Sequence, residues 1–437
     1  MRSLKAAWRA PAAPGLAALV IALAVLATDP AGFVTGGQHA VFDLYQRMAP
    51  RTYQDTGVLI VDVDDESLTR IGQWPWSRLL IARLVHRLGS AGAAAVAFDI
   101  VFAEPDRTAP KSMLALWDET LTLPDEMRQR LLTDLPDPDG LLARTIASAG
   151  NVVTAFGPRY TGRSAIQPAL RASFATAGDD PRLHCPDIGM AVTTLAPLEA
   201  AAAGNGSIAF TADSDLLIRR LPLLATYGGD LRPSLVLEAL RVAVDARTII
   251  VKASGASGEA AMGEHTGVVS VRVGPFTIPT DASGALRLHY SAASAKRTLP
   301  AWKVLAPDFD GGLVEGKILF VGTSAAGLRD LRPSPLNPVM PGVEAHAQAA
   351  EQILTGSFLQ RPDWAPGLEW LVAVFTGLFL VLLGGRLGPY RAVVAFALVL
   401  AALVGGSWHA WSARGLLLDP FLPGLCAALV FGVGLLA

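Results

Sequence analysis

Seven acidic side chains lie in or just after two apolar runs near the start of the chain. They are Asp62, Asp64, Asp65, Glu66, Asp99, Glu104 and Asp106. Carboxylates that converge can coordinate a metal ion or serve as the acid and the base of a hydrolase. Whether these seven converge depends on the strands and the helix that carry them.

Two strands and a helix position the acidic residues. Val58–Val63 and Ala93–Phe102 are short, nearly continuous apolar runs typical of strands covered on both faces, and the apolar spacing in Ser67–Leu88 predicts a helix. A strand, a helix and a strand at this spacing predict a parallel βαβ unit. Because parallel strands end at one edge of a sheet, where α/β domains form ligand crevices, we expect Asp62 and Asp99 to meet there.

This edge is the candidate ligand site, for a small molecule or an ion. Its predicted residues are Asp62, Asp64, Arg78, Asp99 and Glu104. The alternative, which we favour, is structural: Asp64 caps the following helix, and Asp99 pairs with Arg78 or with backbone amides. In the same way, Trp74-Pro75-Trp76 could be an aromatic platform for a ligand, but it is more typical of a packed corner at a helix start.

Neither a metal site nor a catalytic residue is predicted. The acidic cluster has no histidine at ligand spacing and no calcium-loop pattern. Gly322-Thr323-Ser324 lacks the Gly-Lys-Ser/Thr ending of a phosphate loop, and no nucleophile motif is suitably placed. A lone helical histidine such as His346 is usually packed or solvated, although a pH-responsive role stays open. We therefore expect no cofactor.

The other predicted elements continue the α/β pattern. They are the helices Gly140–Ala149, Pro233–Val244 and Val343–Leu354, the strands Asn151–Phe156 and Lys317–Val321, and an antiparallel insertion of Val268–Val273, Phe276–Pro279 and Leu286–Tyr290. Arg107–Pro138 and Arg159–Asp187 are predicted insertions. The fold class is thus α/β, with a mixed, mostly parallel sheet, flanking helices and an antiparallel hairpin insertion.

The composition predicts membrane spans as well. Of the 437 residues, 51% are hydrophobic and only 17% are charged, against about 25% charged in soluble domains. The mean hydropathy is +0.40. A net charge of −2 gives no positive field for phosphates, so we expect no nucleic-acid partner. Two cysteines are too few for a disulfide framework or a four-cysteine zinc site.

Four apolar segments are candidates for spans. Leu368–Gly385, Ala392–Trp408 and Phe421–Ala437 predict three spans near the C-terminus, and Leu16–Ala27 predicts a signal anchor, with a cleaved signal peptide as the alternative. The expected domains are residues 1–29 (anchor), 30–366 (α/β domain) and 367–437 (three spans). The last segment stops within an apolar run, as though a further domain followed.

Basic residues predict the orientation of the spans. Arg2, Lys5 and Arg9 precede the first apolar segment, and Arg386 and Arg391 lie between the second and the third. By the positive-inside rule both groups are cytoplasmic. We expect a bacterial-type inner-membrane protein with several spans, both termini in the cytoplasm and the middle of the chain extracytoplasmic.

Five blocks of sequence, in order, resemble the type-two CHASE sensor family. They are Val58–Arg78, Ala95–Asp106, Gly206–Leu223, Lys317–Asp330 and Met340–Leu354. The resemblance covers about residues 51–362, and the family layout adds one span before and three after. It implies an extracytoplasmic input module for a cytoplasmic adenylate or guanylate cyclase or a histidine kinase.

Two functions follow as hypotheses. In the first, the protein is a membrane-bound sensory module, a homodimer in the lipid bilayer, which detects an unidentified small molecule or ion and controls a cytoplasmic output that this chain does not contain. In the second, it is a membrane-anchored extracytoplasmic enzyme or ligand-binding module. The spans on both sides of the outer domain favour the first hypothesis, because an enzyme needs only one anchor.

Overall fold

The structure is a computed structural model that describes residues 12–117, 123–159, 167–256, 267–328, 330–384 and 386–436. The described residues form two compact units. Those up to Arg51 and from Leu359 onward make up the membrane unit, and those from Thr52 to Phe358 make up the outer unit. The boundaries after residues 29 and 366 stay predictions.

The strands and helices are numbered along the chain. The strands are β1 (Val58–Val63), β2 (Ala95–Phe98), β3 (Val152–Pro158), β4 (Ser173–Ala177), β5 (Ala191–Thr193), β6 (Gly204–Ser207), β7 (Arg220–Pro222), β8 (Leu224–Tyr227), β9 (Asp230–Pro233), β10 (Thr248–Ala253), β11 (Val268–Val273), β12 (Phe276–Pro279), β13 (Ala285–Arg287), β14 (Thr298–Pro300), β15 (Ile318–Thr323), β16 (Leu331–Arg332) and β17 (Met340–Pro341). The helices are α1 (Ala12–Thr28), α2 (Phe33–Met48), α3 (Asp65–Ile71), α4 (Arg78–Ser90), α5 (Pro110–Trp117), α6 (Asp125–Asp134), α7 (Pro138–Ala149), α8 (Ala196–Ala201), α9 (Leu235–Ala243), α10 (Ala301–Leu305), α11 (Gly342–Thr355), α12 (Trp364–Gly384), α13 (Pro389–Arg414) and α14 (Phe421–Leu436).

The central sheet of the outer unit has the strand order β14-β1-β15-β2-β3-β5, with β6 also paired to β3. All of these pairs are parallel except β3 with β5. The α/β class predicted from the sequence is confirmed. One expectation needs correction: β1 and β2 are not neighbours, because β15, more than 200 residues later, lies between them. Chain order alone does not fix strand order when a crossover skips one position.

Both faces of this sheet are covered, which explains the nearly continuous apolar strands. On one face, Val58 and Ile60 pack in the same cluster as residues of α9 and α11. On the other face, Leu59 and Val61 pack in the same cluster as residues of α4 and α7. The alternation along β1 therefore tells which face each of its side chains occupies.

A second sheet has the order β12-β11-β10-β4. Strands β11 and β12 form the antiparallel hairpin that the sequence predicts, around Gly274 at φ +52°. The third predicted strand, Leu286–Tyr290, does not join them; β13 covers residues 285–287 and pairs with β7 instead. The hairpin is encoded by its own turn, whereas the other pairings depend on distant segments.

Several predicted elements differ in extent. The helical spacing predicted within Ser67–Leu88 after the Trp74-Pro75-Trp76 turn is confirmed as α4; a second, short helix, α3, lies before this turn, in which the Trp74-Pro75 peptide bond is cis. The strand predicted over Ala93–Phe102 is shorter, and its last residues form a loop. The insertion Arg107–Pro138 contains α5 and α6, with residues 118–122 outside the described part; residues 160–166 of the other insertion also lie outside it.

In the membrane unit, two helices are long and apolar enough to span a bilayer, Trp364–Leu383 and Pro389–Arg414. A third span is added if Pro14–Thr28 and Phe33–Met48, bent by 79° at their junction, count as one. The apolar stretch Phe421–Gly434 is shorter than a usual span. The predicted count of one plus three spans therefore stays a prediction. Arg2, Lys5 and Arg9 lie outside the described residues.

Candidate functional site

Two of the predicted site residues lie in one row across the central sheet. Asp62 on β1 is opposite Gly322 on β15. Asp99 directly follows β2, and its backbone N–H donates to the Val321 carbonyl at 2.8 Å. With neighbouring strands about 4.8 Å apart, the backbones of Asp62 and Asp99 are roughly 10 Å apart, with β15 between them. We call Asp62, Gly322 and Asp99 the carboxylate row.

The row lies on the sheet face that α11 covers. Asp62 is two residues after Ile60, and Asp99 is two residues after Ala97, and both of these apolar residues pack in the α11 cluster. Glycine lets the helix come close, because a Cβ on Gly322 would lie only 2.5 Å from Cβ of Val343 in α11. The two carboxylates therefore flank the point of closest approach between the sheet and α11.

The same helix supplies a partner that the sequence analysis did not assign. His346 is completely buried beside Phe210 and Phe320, with ring centroids 4.7 Å and 6.3 Å away. Its Nε2 lies 3.7 Å from Oδ1 of Asp99, too far for a hydrogen bond. Neither ring nitrogen of His346, nor Oδ2 of Asp99, nor Oδ1 of Asp62 has a hydrogen-bond partner in the described structure. Unsatisfied buried polar atoms are costly, so four such atoms in the three side chains of Asp62, Asp99 and His346 are unusual.

Burial suppresses the charges of this cluster. It raises the pKa of Asp62 to about 6, against a hydrogen bond of 2.6 Å donated by Ser324 Oγ. It raises the pKa of Asp99 to about 8, helped by Asp330 and opposed by Arg332. It lowers the pKa of His346 to about 3, and Arg332 acts in the same direction. Near pH 7 Asp99 is therefore protonated and His346 is uncharged.

Such a pair can exchange protons or hydrogen bonds but is a poor metal site. A protonated carboxyl is not a metal ligand, and the described residues contain no group of three or more His, Cys, Asp or Glu side chains that could hold a metal ion.

Asp64 has a structural role, as the favoured interpretation expects. Its Oδ1 accepts a hydrogen bond of 2.7 Å from the backbone N–H of Ser67 and so caps α3. Asp65 and Glu66 occupy the first turn of the same helix, where the helix dipole stabilises acidic side chains.

The other two predicted residues, Arg78 and Glu104, line a separate cavity of about 330 Å³. We call it the tryptophan cavity. Trp74, Trp76 and Phe102 contribute aromatic walls, and the loop after β2 closes one side. Its lining is formed by Trp74, Pro75, Trp76, Arg78, Ile100, Val101, Phe102, Ala103, Glu104, Pro105, Asp106 and Arg107.

Arg78 begins α4 and is nearly buried. Its guanidinium lies over the ring of Phe102, with its central carbon 4.6 Å from the ring centroid, and Nη2 donates to the Glu104 carbonyl at 2.9 Å. Nε lies 3.3 Å from Oδ1 of Asp139, without hydrogen-bond geometry. The expected pairing of Arg78 with Asp99 is therefore wrong: Arg78 contacts Asp139, and Asp99 contacts His346.

Asp106 fixes the loop against α4. Its carboxylate accepts from the Arg78 backbone at 2.6 Å, from Ser77 Oγ at 2.9 Å, and from Thr108 N and Oγ1 at 2.8 and 2.9 Å. Burial alone would raise the pKa of Asp106, but these hydrogen bonds outweigh it and lower the pKa. Asp106 is thus a charged, fully partnered anchor.

Trp76 fits the interpretation as a packed corner, and Trp74 fits the interpretation as part of a ligand platform. Trp76 is buried, donates from Nε1 to the Gly72 carbonyl at 2.9 Å and packs edge-on against Trp74, as in a packed corner. Trp74 is only partly buried, and its ring is part of the cavity wall.

The family comparison agrees with this architecture. A family model, the CHASE2 domain, matches residues 16–385, most of the chain. The chain belongs to the CHASE2 family. The members are extracytoplasmic sensory domains, so this outer unit is a CHASE2 sensor unit. No curated protein and no solved structure matched the chain.

Two residues of the CHASE2 unit, His346 and Ser324, could not be assigned from the sequence. Both lie in blocks that resemble the family, but nothing near them in the sequence points to an acidic partner. Ser324 meets Asp62 across 262 positions. The register of β15 between β1 and β2 is what brings these side chains together.

Proposed function

We propose that the chain is a membrane-bound sensory input module, in which the outer unit detects an extracytoplasmic signal and passes it through the membrane helices to a cytoplasmic output. A nucleotide cyclase or a histidine kinase is the output that suits it best. Membership of the CHASE2 family supports the sensory role. Two apolar helices of spanning length, directly after the outer unit, support transmission across a bilayer.

The observation that carries the proposal is the short covalent link between the units. Helix α11 ends at Thr355, and Gln360 already belongs to the membrane unit, where its N–H donates to Gly415 O at 2.9 Å and its carbonyl accepts from Leu417 N at 2.8 Å. Only Gly356–Leu359 separate the end of α11 from Gln360. A displacement of α11 therefore acts on α12 and α13 through four residues.

Helix α11 is also firmly held by the outer unit. Oε1 of Gln348 and Oε1 of Gln352 accept from the backbone N–H groups of Ser291 and His289, at 2.7 and 2.9 Å. Glu351 forms a buried ion pair of 2.6 Å with Arg297. Because these contacts hold α11, a rearrangement of the sensor core should displace this helix, which leads to the membrane helices.

The orientation is tested with topology reporters fused to the full chain. A reporter after Arg51 should score as extracytoplasmic, and a reporter at Gly388 should score as cytoplasmic. The reason is that the basic residues before the first apolar segment and those on either side of Gly388 favour the cytoplasm. A cytoplasmic signal at Arg51 would contradict the sensor proposal.

Transmission is tested with a chimera in which a dimer-dependent adenylate cyclase domain follows Ala437. A Gly-Ser-Gly-Ser insertion after Phe358 lengthens the four-residue link and should change cyclic AMP production severalfold. The matched control carries the same insertion after Gly229, in the exposed β8–β9 turn, and should leave it unchanged. Equal effects of both insertions, or no effect of either, would count against transmission through α11.

A further inference from the structure

We propose that the tryptophan cavity binds a free amino acid with an aromatic or apolar side chain, that is, a small zwitterion with one carboxylate and one ammonium group. The proposal deepens the proposed sensory function, because it names the class of signal molecule. It is carried by the size of the cavity, by its apolar walls and by the separation of its charges.

The size and the walls limit the ligand to a small molecule with an apolar frame. About 330 Å³ lies at the lower end of the range of small-molecule pockets. Trp74, Pro75, Ile100 and Phe102 offer aromatic and aliphatic surface. Such walls stabilise an apolar side chain by burial and by ring contacts.

Two guanidinium groups can receive the carboxylate. Arg78 is nearly buried and its guanidinium makes one hydrogen bond; its Nε lies in an ion pair 3.3 Å from Asp139 but donates no hydrogen bond within the described structure. Arg107 is exposed at the rim, with Nη2 donating to the Pro75 carbonyl at 3.3 Å. A guanidinium stays charged at every relevant pH and presents five donors in a plane, so both groups retain donors for an anion.

Glu104 is the carboxylate that can receive the ammonium group. Its side chain is exposed and makes no hydrogen bond or ion pair with the described residues. The other acidic side chain of the lining, Asp106, already accepts four hydrogen bonds. Glu104 also lies more than 4 Å from both guanidinium groups, since no ion pair joins them, so the opposite charges stay apart.

The charge balance selects a zwitterion over a simple ion. Two arginines, Arg78 and Arg107, and three acidic residues, Glu104, Asp106 and Asp139, lie in or beside the lining, so the formal charges nearly balance with a slight negative excess. A simple anion would be repelled by this excess, and a simple cation would meet two guanidinium groups. A ligand with both charges can pair its carboxylate with the arginines and its ammonium group with Glu104 at the same time.

The test uses the full chain purified in detergent and three compounds that share one ring. L-Phenylalanine carries both charges, 3-phenylpropionate lacks the ammonium group, and phenethylamine lacks the carboxylate. Calorimetry should give an affinity for phenylalanine at least about tenfold above that for either analogue, as for the loss of one charged hydrogen-bond partner. L-Leucine should also bind, since the walls require only an apolar side chain.

Variants assign the charges. Glu104→Gln should weaken the binding of phenylalanine about tenfold and leave the affinity for 3-phenylpropionate unchanged. Arg107→Gln should weaken the binding of phenylalanine and of 3-phenylpropionate, and leave the affinity for phenethylamine unchanged. The matched control is Glu315→Gln, which removes an exposed carboxylate that, like Glu104, makes no hydrogen bond or ion pair with the described residues but lies outside the cavity lining, and it should not affect binding. Both cavity residues are exposed, so the melting temperatures should stay equal.

Three results would overturn the proposal: no binding of phenylalanine or leucine, equal binding of an analogue, or a Glu104→Gln variant that binds like the parent chain. The topology reporters and the insertion chimera need no ligand. A failure of this proposal is therefore distinguishable from a failure of the sensory function.

Discussion

Asp99 and Asp106 lie seven residues apart after the same strand, and both are nearly buried, yet their pKa values move in opposite directions. The Asp99 side chain has His346 at 3.7 Å and no hydrogen bond to Oδ2, so burial prevails and its pKa rises to about 8. Asp106 accepts four hydrogen bonds, and its pKa falls. Hydrogen-bond donors, and not burial alone, therefore decide whether a buried carboxyl group is charged.

The same contrast separates the two polar regions. The carboxylate row is closed beneath α11. Near pH 7 its Asp99 is uncharged, whereas its Asp62, whose pKa is about 6, is charged. The tryptophan cavity is open at its rim and keeps its charges. Four predictions test this contrast, in order of expected size.

The largest effect is expected for Asp106→Ala. The variant leaves the donors of Ser77, Arg78 and Thr108 without their acceptor, and hydrogen bonds to a charged group contribute about 1.5–3 kcal/mol each. The free energy of unfolding should fall by about 3–5 kcal/mol, measured by thermal denaturation of the full chain. The control Asp308→Ala removes an exposed carboxylate that makes no hydrogen bond or ion pair with the described residues, and it should leave the melting temperature unchanged. A neutral Asp106→Ala variant would show that the loop is held by other contacts.

Gly322→Ala should come next. The added methyl group overlaps Val343 and forces α11 away from β15, and overpacking of this kind costs about 1–3 kcal/mol. Amide hydrogen exchange in α11 should accelerate as well. Gly327→Ala is the control, since a Cβ there meets no atom within 4 Å. Unchanged exchange in α11 would contradict the close approach described here.

Asp99→Asn should stabilise the chain at alkaline pH. The folded-state pKa of about 8 lies above the usual value of 3.8, so the folded state binds more protons than the unfolded state between about pH 4 and 8, and stability falls as the pH rises through this range. Asparagine removes this loss, so for each pH unit within this range the variant should gain up to about 1.4 kcal/mol on the parent chain. Melting curves at pH 5 and 9 measure it; a gain of the same size at pH 5 would exclude ionisation as the cause.

His346→Gln should have the smallest effect, on the acid side. The folded-state pKa of about 3 lies below 6.5, so the unfolded state binds more protons between these values, and stability falls as the pH falls. From pH 6.5 to 5.5 the parent chain should lose up to about 1.4 kcal/mol more than the variant. The readout is the slope of the melting temperature with pH, which a uniform packing defect does not alter. Parallel slopes in the two proteins would argue against a buried neutral histidine.

The features predicted correctly from the sequence are local ones. The apolar run of β1, the cap formed by Asp64 and the hairpin of β11 and β12 each depend on residues within a few positions of one another. The class of the fold follows from the succession of such elements.

The features that were missed depend on residues far apart in the chain. The insertion of β15 separates Asp62 from Asp99, and the docking of α11 brings His346 to Asp99 across 247 positions. Arg78 could form an ion pair with several acidic side chains, and only the packing of α7 selects Asp139 over Asp99. Residue type and spacing offer partners, but strand order decides among them.

The contact of the His346 ring with two phenylalanine rings has a spectroscopic consequence. The ring currents of Phe210 and Phe320 shield nuclei held above their faces, so the imidazole proton resonances of this residue are expected well upfield of those of the other six histidines. With isotope-labelled histidine, one resolved signal would then report on the interior of the outer unit in a detergent micelle. A movement of α11 relative to the sheet changes the stacking distance and therefore the chemical shift, without any introduced label at the site itself.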